Sequence, residues 1–311
     1  MTSSAVIAAP QAAIGRSGLW DRLSQGTAVP VLIVVAAIIA IWYVAAVWLN
    51  STWQFQVFSR GDGDWTWGEF LAGTMSQDRP LLPAPHQVAV ELWNTVVGQN
   101  VTSRRSLVYH AWITLSATLL GFAMGTALGI VLAVLIVHNR AMDRSLLPWI
   151  IASQTVPILA IAPMVVVVLA SIGMTGLVPK ALISTYLSFF PVVVGMVKGF
   201  RSPDQIQLDL MRTYHANANQ TFWKLRFPAS LPYLFASMKV GVAASLVGAI
   251  VGELPTGAAG GLGSRLLAGS YYGQTVQIWS ALLMAAALSA MLILVITLVQ
   301  RVVLARMGAS A

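Results

Sequence analysis

Six apolar runs of membrane length, at 31–49, 111–137, 146–174, 181–200, 231–252 and 278–298, constrain this chain more than any other feature. A helix rises about 1.5 Å per residue, so each run can cross a hydrocarbon core about 30 Å thick. Lipid offers no partner to a backbone N–H or C=O, so a run of that length must satisfy its backbone within its own helix. Composition agrees: 57% of residues are hydrophobic and 9% charged, where soluble domains carry about 25% charge. The expected fold class is all-α, a polytopic integral membrane protein with six transmembrane helices. Trp42, Tyr43 and Trp48 sit late in the first run, where aromatic side chains anchor at a membrane interface.

Between the fourth and fifth runs lies a polar island, 204–232, bearing Asp204, Asp209, Arg212, Lys224 and Arg226. Burying such charges in hydrocarbon costs roughly 2.5 to 3.5 kcal/mol each, so the island stays in water. Leu208, Met211 and Phe222 are spaced for one helical face and Pro228 stands as the stop, which predicts a short amphipathic helix pinned between two spans.

This island resembles the cytoplasmic coupling loop of permease subunits of ABC importers. The family pattern is Glu-Ala-Ala, three residues, Gly, nine residues, then Ile-x-Leu-Pro. Here the acidic position falls on Asp209, the Ala positions on Leu210 and Met211, the Gly position on His215, and the end on Leu225, Arg226, Phe227 and Pro228. Arg212, Ala216 and Phe222 lie between these marks, and the spacing is kept throughout. His215 is the main departure, because glycine serves where the backbone needs positive φ and histidine adopts such a turn at a cost.

Two further stretches resemble the nitrate, sulfonate and taurine group of these permeases. One is Leu82-Pro83-Ala84-Pro85 followed by an amphipathic run through Val88, Leu92, Trp93 and Val96. The other begins at Ser153-Gln154-Thr155-Val156-Pro157, reaches Pro163, and continues to Ile172-Gly173, Lys180 and Phe189-Phe190-Pro191. Glu253 followed by Gly261-Leu262-Gly263 also resembles the family's acid and Gly-Leu-Gly turn. The resemblance implies the type I ABC importer permease fold with a cytoplasmic coupling helix.

The prolines interrupt the third run, and polar residues at membrane depth face a cavity or another helix. Gln154, Thr155, Pro157, Ser245 and Glu253 are therefore the candidate pathway residues. An acid at a membrane boundary is a functional candidate by default, and Glu253 can equally cap a helix or bridge to Arg265. Gly121, Gly125 and Gly129 form a small-residue stripe suited to close helix packing, against this chain or another.

The chain has no cysteine, and His86, His110, His138 and His215 show no paired spacing, so no metal site is expected. The glycines after Glu253 have no following Lys-Ser or Lys-Thr, which rejects a phosphate loop. No enzyme activity and no cofactor are expected in this chain. An ion-coupled carrier is the alternative reading, opposed by the lack of Asp or Glu at any span centre. A membrane enzyme would need a cluster near one face, and nothing pairs His138 with His215.

With the N-terminus inside, eleven cations fall on the cytoplasmic side: Arg16, Arg22, Arg140, Arg144, Lys198, Arg201, Arg212, Lys224, Arg226, Arg301 and Arg306. Six fall opposite, namely Arg60, Arg79, Arg104, Arg105, Lys180 and Arg265. The excess puts both termini in the cytoplasm and gives the net charge of +8 a location rather than a nucleic-acid partner. The expected organisation is a tail at 1–29 with an interfacial helix around Leu19 to Leu23. A first span with an external segment follows at 30–109, then a core of five spans at 110–304 with the coupling loop 201–230, and a tail at 305–311. By the resemblance, two permeases, copies or different subunits, form the pathway in the inner membrane lipid. Cytoplasmic ATPases hold the ATP and magnesium, and an external binding protein delivers a small polar or anionic nutrient such as a sulfonate, nitrate or pyrimidine-type vitamin precursor.

Overall fold

The computed structural model describes residues 28–60, 65–256 and 260–308. The tail with its expected interfacial helix, Asp62 and Asp64, the middle of the glycine-rich turn and the last three residues lie outside them. The described residues form helices and connecting turns, with no strand among them. They fall into two compact units divided after Ser76.

In the first unit, α1 (Ala28–Ser59) continues ten residues past the expected span end at Leu49. The extension carries Asn50 and Gln54, whose polar groups are met by α2 (Trp67–Met75). Asn50 Nδ2 donates to the Thr74 carbonyl at 3.2 Å, and Gln54 lies against Gly73, where no Cβ intervenes. A capping box starts α2: Thr66 Oγ1 accepts from the Glu69 N–H at 3.3 Å, and Glu69 Oε2 accepts from the Thr66 N–H at 2.9 Å. The backbone and then the side-chain hydrogen bond from Thr66 hold the Glu69 carboxyl below its ordinary range. Phe55, Phe58, Trp65 and Phe70 form an aromatic cluster beside this cap.

The second unit is built on α4 (Leu107–His138), α7 (Leu177–Phe200) and α10 (Phe227–Glu253). The glycine stripe of α4 meets Ser184, Ser188 and Val192 of α7, so its neighbour belongs to this same chain. A Cβ at Gly125 would collide with Ser188 Oγ and stand 3.1 Å from the Phe189 backbone nitrogen, tighter than nine in ten real Cβ contacts. Hydroxyls tie the three helices: Ser184 Oγ donates to the Ser245 carbonyl at 2.9 Å, and Ser245 Oγ to the Thr118 carbonyl at 2.8 Å. Towards the Phe200 end, Ile136, Phe189, Val193, Met196 and Phe222 make the main apolar core. The helices α11 (Leu262–Tyr272) and α12 (Thr275–Arg306) close the other flank, and α12 turns Leu294, Val295 and Leu298 outward, as lipid-facing helices do. In α3 (Pro85–Val96) Val88 is buried while Leu92 and Val96 pack on the core. Trp93, expected on that face, is 67% exposed, because it lies about 100° around the helix from Leu92.

The third run is two helices, α5 (Arg140–Ser153) and α6 (Ile158–Ser171), bent by 96°. Leu147 and Ile151 of α5 share a cavity of about 490 Å³ with Val197, Arg201 and Tyr233 at the Phe200 end. Ala170 and Met174 share another with Pro179 and Thr256 at the Glu253 end. The pair thus runs from one end to the other, and counted as one span it joins the five long apolar helices to give six candidate spans.

The polar island also differs from one helix stopped by proline. α8 (Gln205–Thr213) ends first, and α9 (Ala218–Thr221) runs through a π turn at Phe222–Arg226 into α10. Phe222 is therefore not on the helix of Leu208 and Met211. Pro228 lies inside the continuous helix of α9 and α10, two residues past the π turn, and does not end it.

Candidate functional site

The segment from Asp204 to Arg226 keeps its shape through short-range bonds. Gln207 Oε1 accepts from the Asp204 N–H at 3.1 Å at the start of α8. Asp209 takes Arg212 Nη1 at 2.8 Å and Gln205 Nε2 at 3.2 Å, all on its own helix. Ile206 and Tyr214 are 83% and 77% exposed and Leu210 is exposed beside them, an apolar face without a partner among the described residues.

α8 ends by a Schellman motif. The Ala216 N–H donates to the Met211 carbonyl at 3.0 Å and the His215 N–H to the Arg212 carbonyl at 2.9 Å. His215, at the left-handed position of that motif, has φ 51° and is the one non-glycine residue with positive φ among the described residues. The glycine of the family pattern thus corresponds to a helix C-cap. Asn217 then opens α9 with its own capping box, accepting from the Gln220 N–H at 2.8 Å.

Phe222 anchors the segment. It is buried, with its ring 4.9 Å from His138 and 5.2 Å from Phe200, at the ends of α4 and α7. Leu208, Arg212, Phe222 and Arg226 line a cavity of about 390 Å³ between α8 and the bundle. An Arg201–Asp143 bridge of 2.8 Å joins the end of α7 to α5.

The pathway candidates do not gather in one place. Gln154, Thr155 and Pro157 lie at the α5–α6 break, where Gln154 is half-buried and Thr155 and Pro157 are exposed. Ser245 is sealed between α4 and α7, and Glu253 is fully buried at the far end of α10. Both Glu253 oxygens accept from Thr114 Oγ1, at 2.9 and 3.1 Å, and Oε2 accepts from the Gly263 N–H at 2.7 Å. Of the two alternatives for Glu253, the cap is present: it closes the N-terminal turn of α11. The bridge to Arg265 is not formed. Arg265 donates to the Arg105 carbonyl, and burial lowers its pKa, with Glu91 opposing.

Sequence reasoning missed two partners of Glu253, Lys180 and Thr114, and the neighbouring His110. Lys180, expected in an external loop, is 2% exposed and donates to the Gly260 carbonyl at 3.0 Å, close enough for its charge to interact with Glu253. Thr114 accepts from the Leu262 N–H at 2.8 Å. His110 accepts from the Gly261 N–H at Nδ1, 3.0 Å, so its Nε2–H donates to the Arg104 carbonyl at 2.9 Å. The available signal was a lysine entering one apolar run and an acid leaving the next, each too costly to bury unpaired. No cluster of His, Asp or Glu suited to a metal occurs among the described residues.

Comparison with known proteins gives one answer. Residues 125–309 match the family described as binding-protein-dependent transport system inner membrane component. The chain is 29% identical to a probable ABC transporter permease protein of Haemophilus influenzae, over 67% of this chain and 80% of the relative. It is 31% identical to the formylaminopyrimidine transport permease protein ThiX of Halalkalibacterium halodurans, over 59% and 68%. Its fold is similar to a chain in an inward-facing structure of the MetNI methionine ABC transporter, with TM-score 0.53, 19% identity, and coverage of 63% and 95%.

Proposed function

Because the chain belongs to the binding-protein-dependent transport system inner membrane components, we propose that its 204–226 segment is the surface through which ATP hydrolysis by a partner drives transport. The chain is a multi-pass inner membrane permease of an ABC importer, a subunit that works with an ATPase and a binding protein. The observation that carries the coupling assignment is the exposed apolar face of α8, held in shape by its own caps and fastened to two spans by Phe222. Asp209, Leu210, Met211, Arg212, His215 and Ala216 form the docking part, and Phe222, Leu225 and Pro228 pass its displacement into α10. ATP and magnesium belong to the ATPase.

The cation excess on the coupling side supports both termini lying in the cytoplasm, with the core at 110–304. A second permease, a copy or another subunit, completes the pathway. The α5–α6 break supports Gln154, Thr155 and Pro157 as pathway residues. The Ile158 and Leu159 N–H groups at the start of α6 have no partner among the described residues, and such groups at membrane depth belong beside a polar cavity. A small polar or anionic nutrient fits that lining, and the relative named for formylaminopyrimidine agrees with it. The test is co-purification with the cognate ATPase, then ATP hydrolysis in lipid, for wild type, Asp209→Arg and His215→Pro. Loss of the complex or of coupled hydrolysis with the helical fold intact is expected. An ATPase that binds all three alike contradicts the assignment, and transport without ATP points to an ion-driven carrier.

A further inference from the structure

One hydrogen bond at the α5–α6 break is used by neither the coupling nor the pathway assignment. In an unbroken helix the Ser153 carbonyl would accept from the N–H four residues on, but that residue is Pro157, which has none. The Val156 N–H reaches the carbonyl only at 3.4 Å. The Tyr186 hydroxyl, from the middle of α7, donates to the same oxygen. The neighbouring carbonyls are met locally: Ser153 Oγ donates to Ile150 O at 2.7 Å and Thr155 Oγ1 to Ala152 O at 2.8 Å. Among the described residues, Ser153 thus offers the freed carbonyl that another helix holds.

α7, which holds the break, and α6, which leaves it, are packed very differently. α7 is enclosed on both sides, and Thr185, Ser188 and Phe189 next to Tyr186 are buried. In α6 only Ala162 is buried. So few packed side chains fix the direction of α6 poorly, and its angle depends on what holds the break.

We infer that Tyr186 is a positioning residue for transport: by clamping the Ser153 carbonyl to α7, its hydroxyl sets the 96° angle at which α6 leaves α5. Pro157 permits the break and Tyr186 selects its geometry. The groups carried there, Gln154, Thr155 and the free N–H groups of α6, are presented at the depth of Tyr186 on α7.

Satisfying a polar group and positioning a helix are separable here, because Pro157→Ala returns an N–H to the Ser153 carbonyl while removing the break. The chain has no cysteine. Spin labels at Trp149→Cys and Val168→Cys, both exposed, therefore report the bend without background. The importer is reconstituted with its ATPase and binding protein, and binding-protein-stimulated ATP hydrolysis is read beside the label distance. Tyr186→Phe is expected to broaden the distance distribution and lower stimulated hydrolysis about tenfold, the worth of one hydrogen bond, with basal hydrolysis kept. Adding Pro157→Ala is expected to restore the unfolding midpoint but not the stimulation, a comparison that holds even where Tyr186→Phe alone folds poorly. An unchanged distance distribution in Tyr186→Phe, or stimulation that returns together with stability in the double variant, overturns the inference.

Discussion

At the Glu253 end of the second unit, hydrogen bonds join residues far apart in the chain: Thr114 to Glu253, Gly261 to His110, and Lys180 to Gly260. In the 204–226 segment proposed for coupling they join near neighbours, Asp209 with Arg212, Asn217 with Gln220, and Ala216 with Met211. The first kind exists only while α4, α7, α10 and α11 keep their register, so it locks the spans together. The second survives a change in surroundings, so α8 can be pushed as a unit without losing its form. Burial follows the same division. Glu253 and Lys180 are sealed, whereas Asp209 and Arg212 stand in water.

The largest effect that could break this contrast is at Glu253. Glu253→Leu leaves the Thr114 hydroxyl and the Gly263 N–H without their acceptor and the buried Lys180 without the nearby negative charge, and is expected to cost about 3–5 kcal/mol. Thermal unfolding in detergent measures it, and adding Lys180→Met is expected to recover part of the loss. Equal costs for Glu253→Leu and Asp209→Leu would erase the difference between the ends.

His215→Gly should act in the opposite direction and more weakly. It removes the side-chain penalty of the left-handed position, partly offset by glycine's greater unfolded freedom, for a net gain of about 1 kcal/mol. Slower amide exchange across Gln205–Thr213 would record it, and faster exchange would refute the strained cap.

Asp209→Asn is smaller still. The pair with Arg212 is 2.8 Å long but exposed on both sides, so stability should change by about 0–1 kcal/mol. ATPase affinity, measured separately, is expected to fall although the fold does not. An unfolding midpoint as low as that of Glu253→Leu would contradict the solvent-screened view of this end.

The smallest effect is a calibration of local caps at Glu69. Its carboxyl is lowered by the Thr66 hydrogen bonds, so its contribution is present above the usual carboxylate range and is lost as pH falls through the lowered folded value. The wild type should therefore lose a slight advantage over Glu69→Gln on acidification. An advantage that grows as pH falls would have the wrong sign.

The long apolar helices were legible because they rest on a local pattern, apolar length, and the spacing around Asp209 and His215 marked the segment for which coupling is proposed. What escaped depended on distant partners. Asn50 and Gln54 read as part of the external segment until Thr74 and Gly73 meet them on α2, and Lys180 read as an external-side cation until Gly260 and Glu253 close over it. Pro228 read as a stop because nothing local announces the π turn through which the helix continues past it. The break at Pro157 was readable, but Tyr186 was not, since only the fold brings α7 to Ser153.

Hydrogen–deuterium exchange of the permease, alone and with its ATPase, tests the central contrast most directly. Residues 205–226 are expected to exchange quickly alone and to become protected in the complex, while 110–114 and 260–264 exchange slowly in both. A coupling segment indifferent to the ATPase, or a Glu253 end that exchanges as fast as α8, would contradict the account.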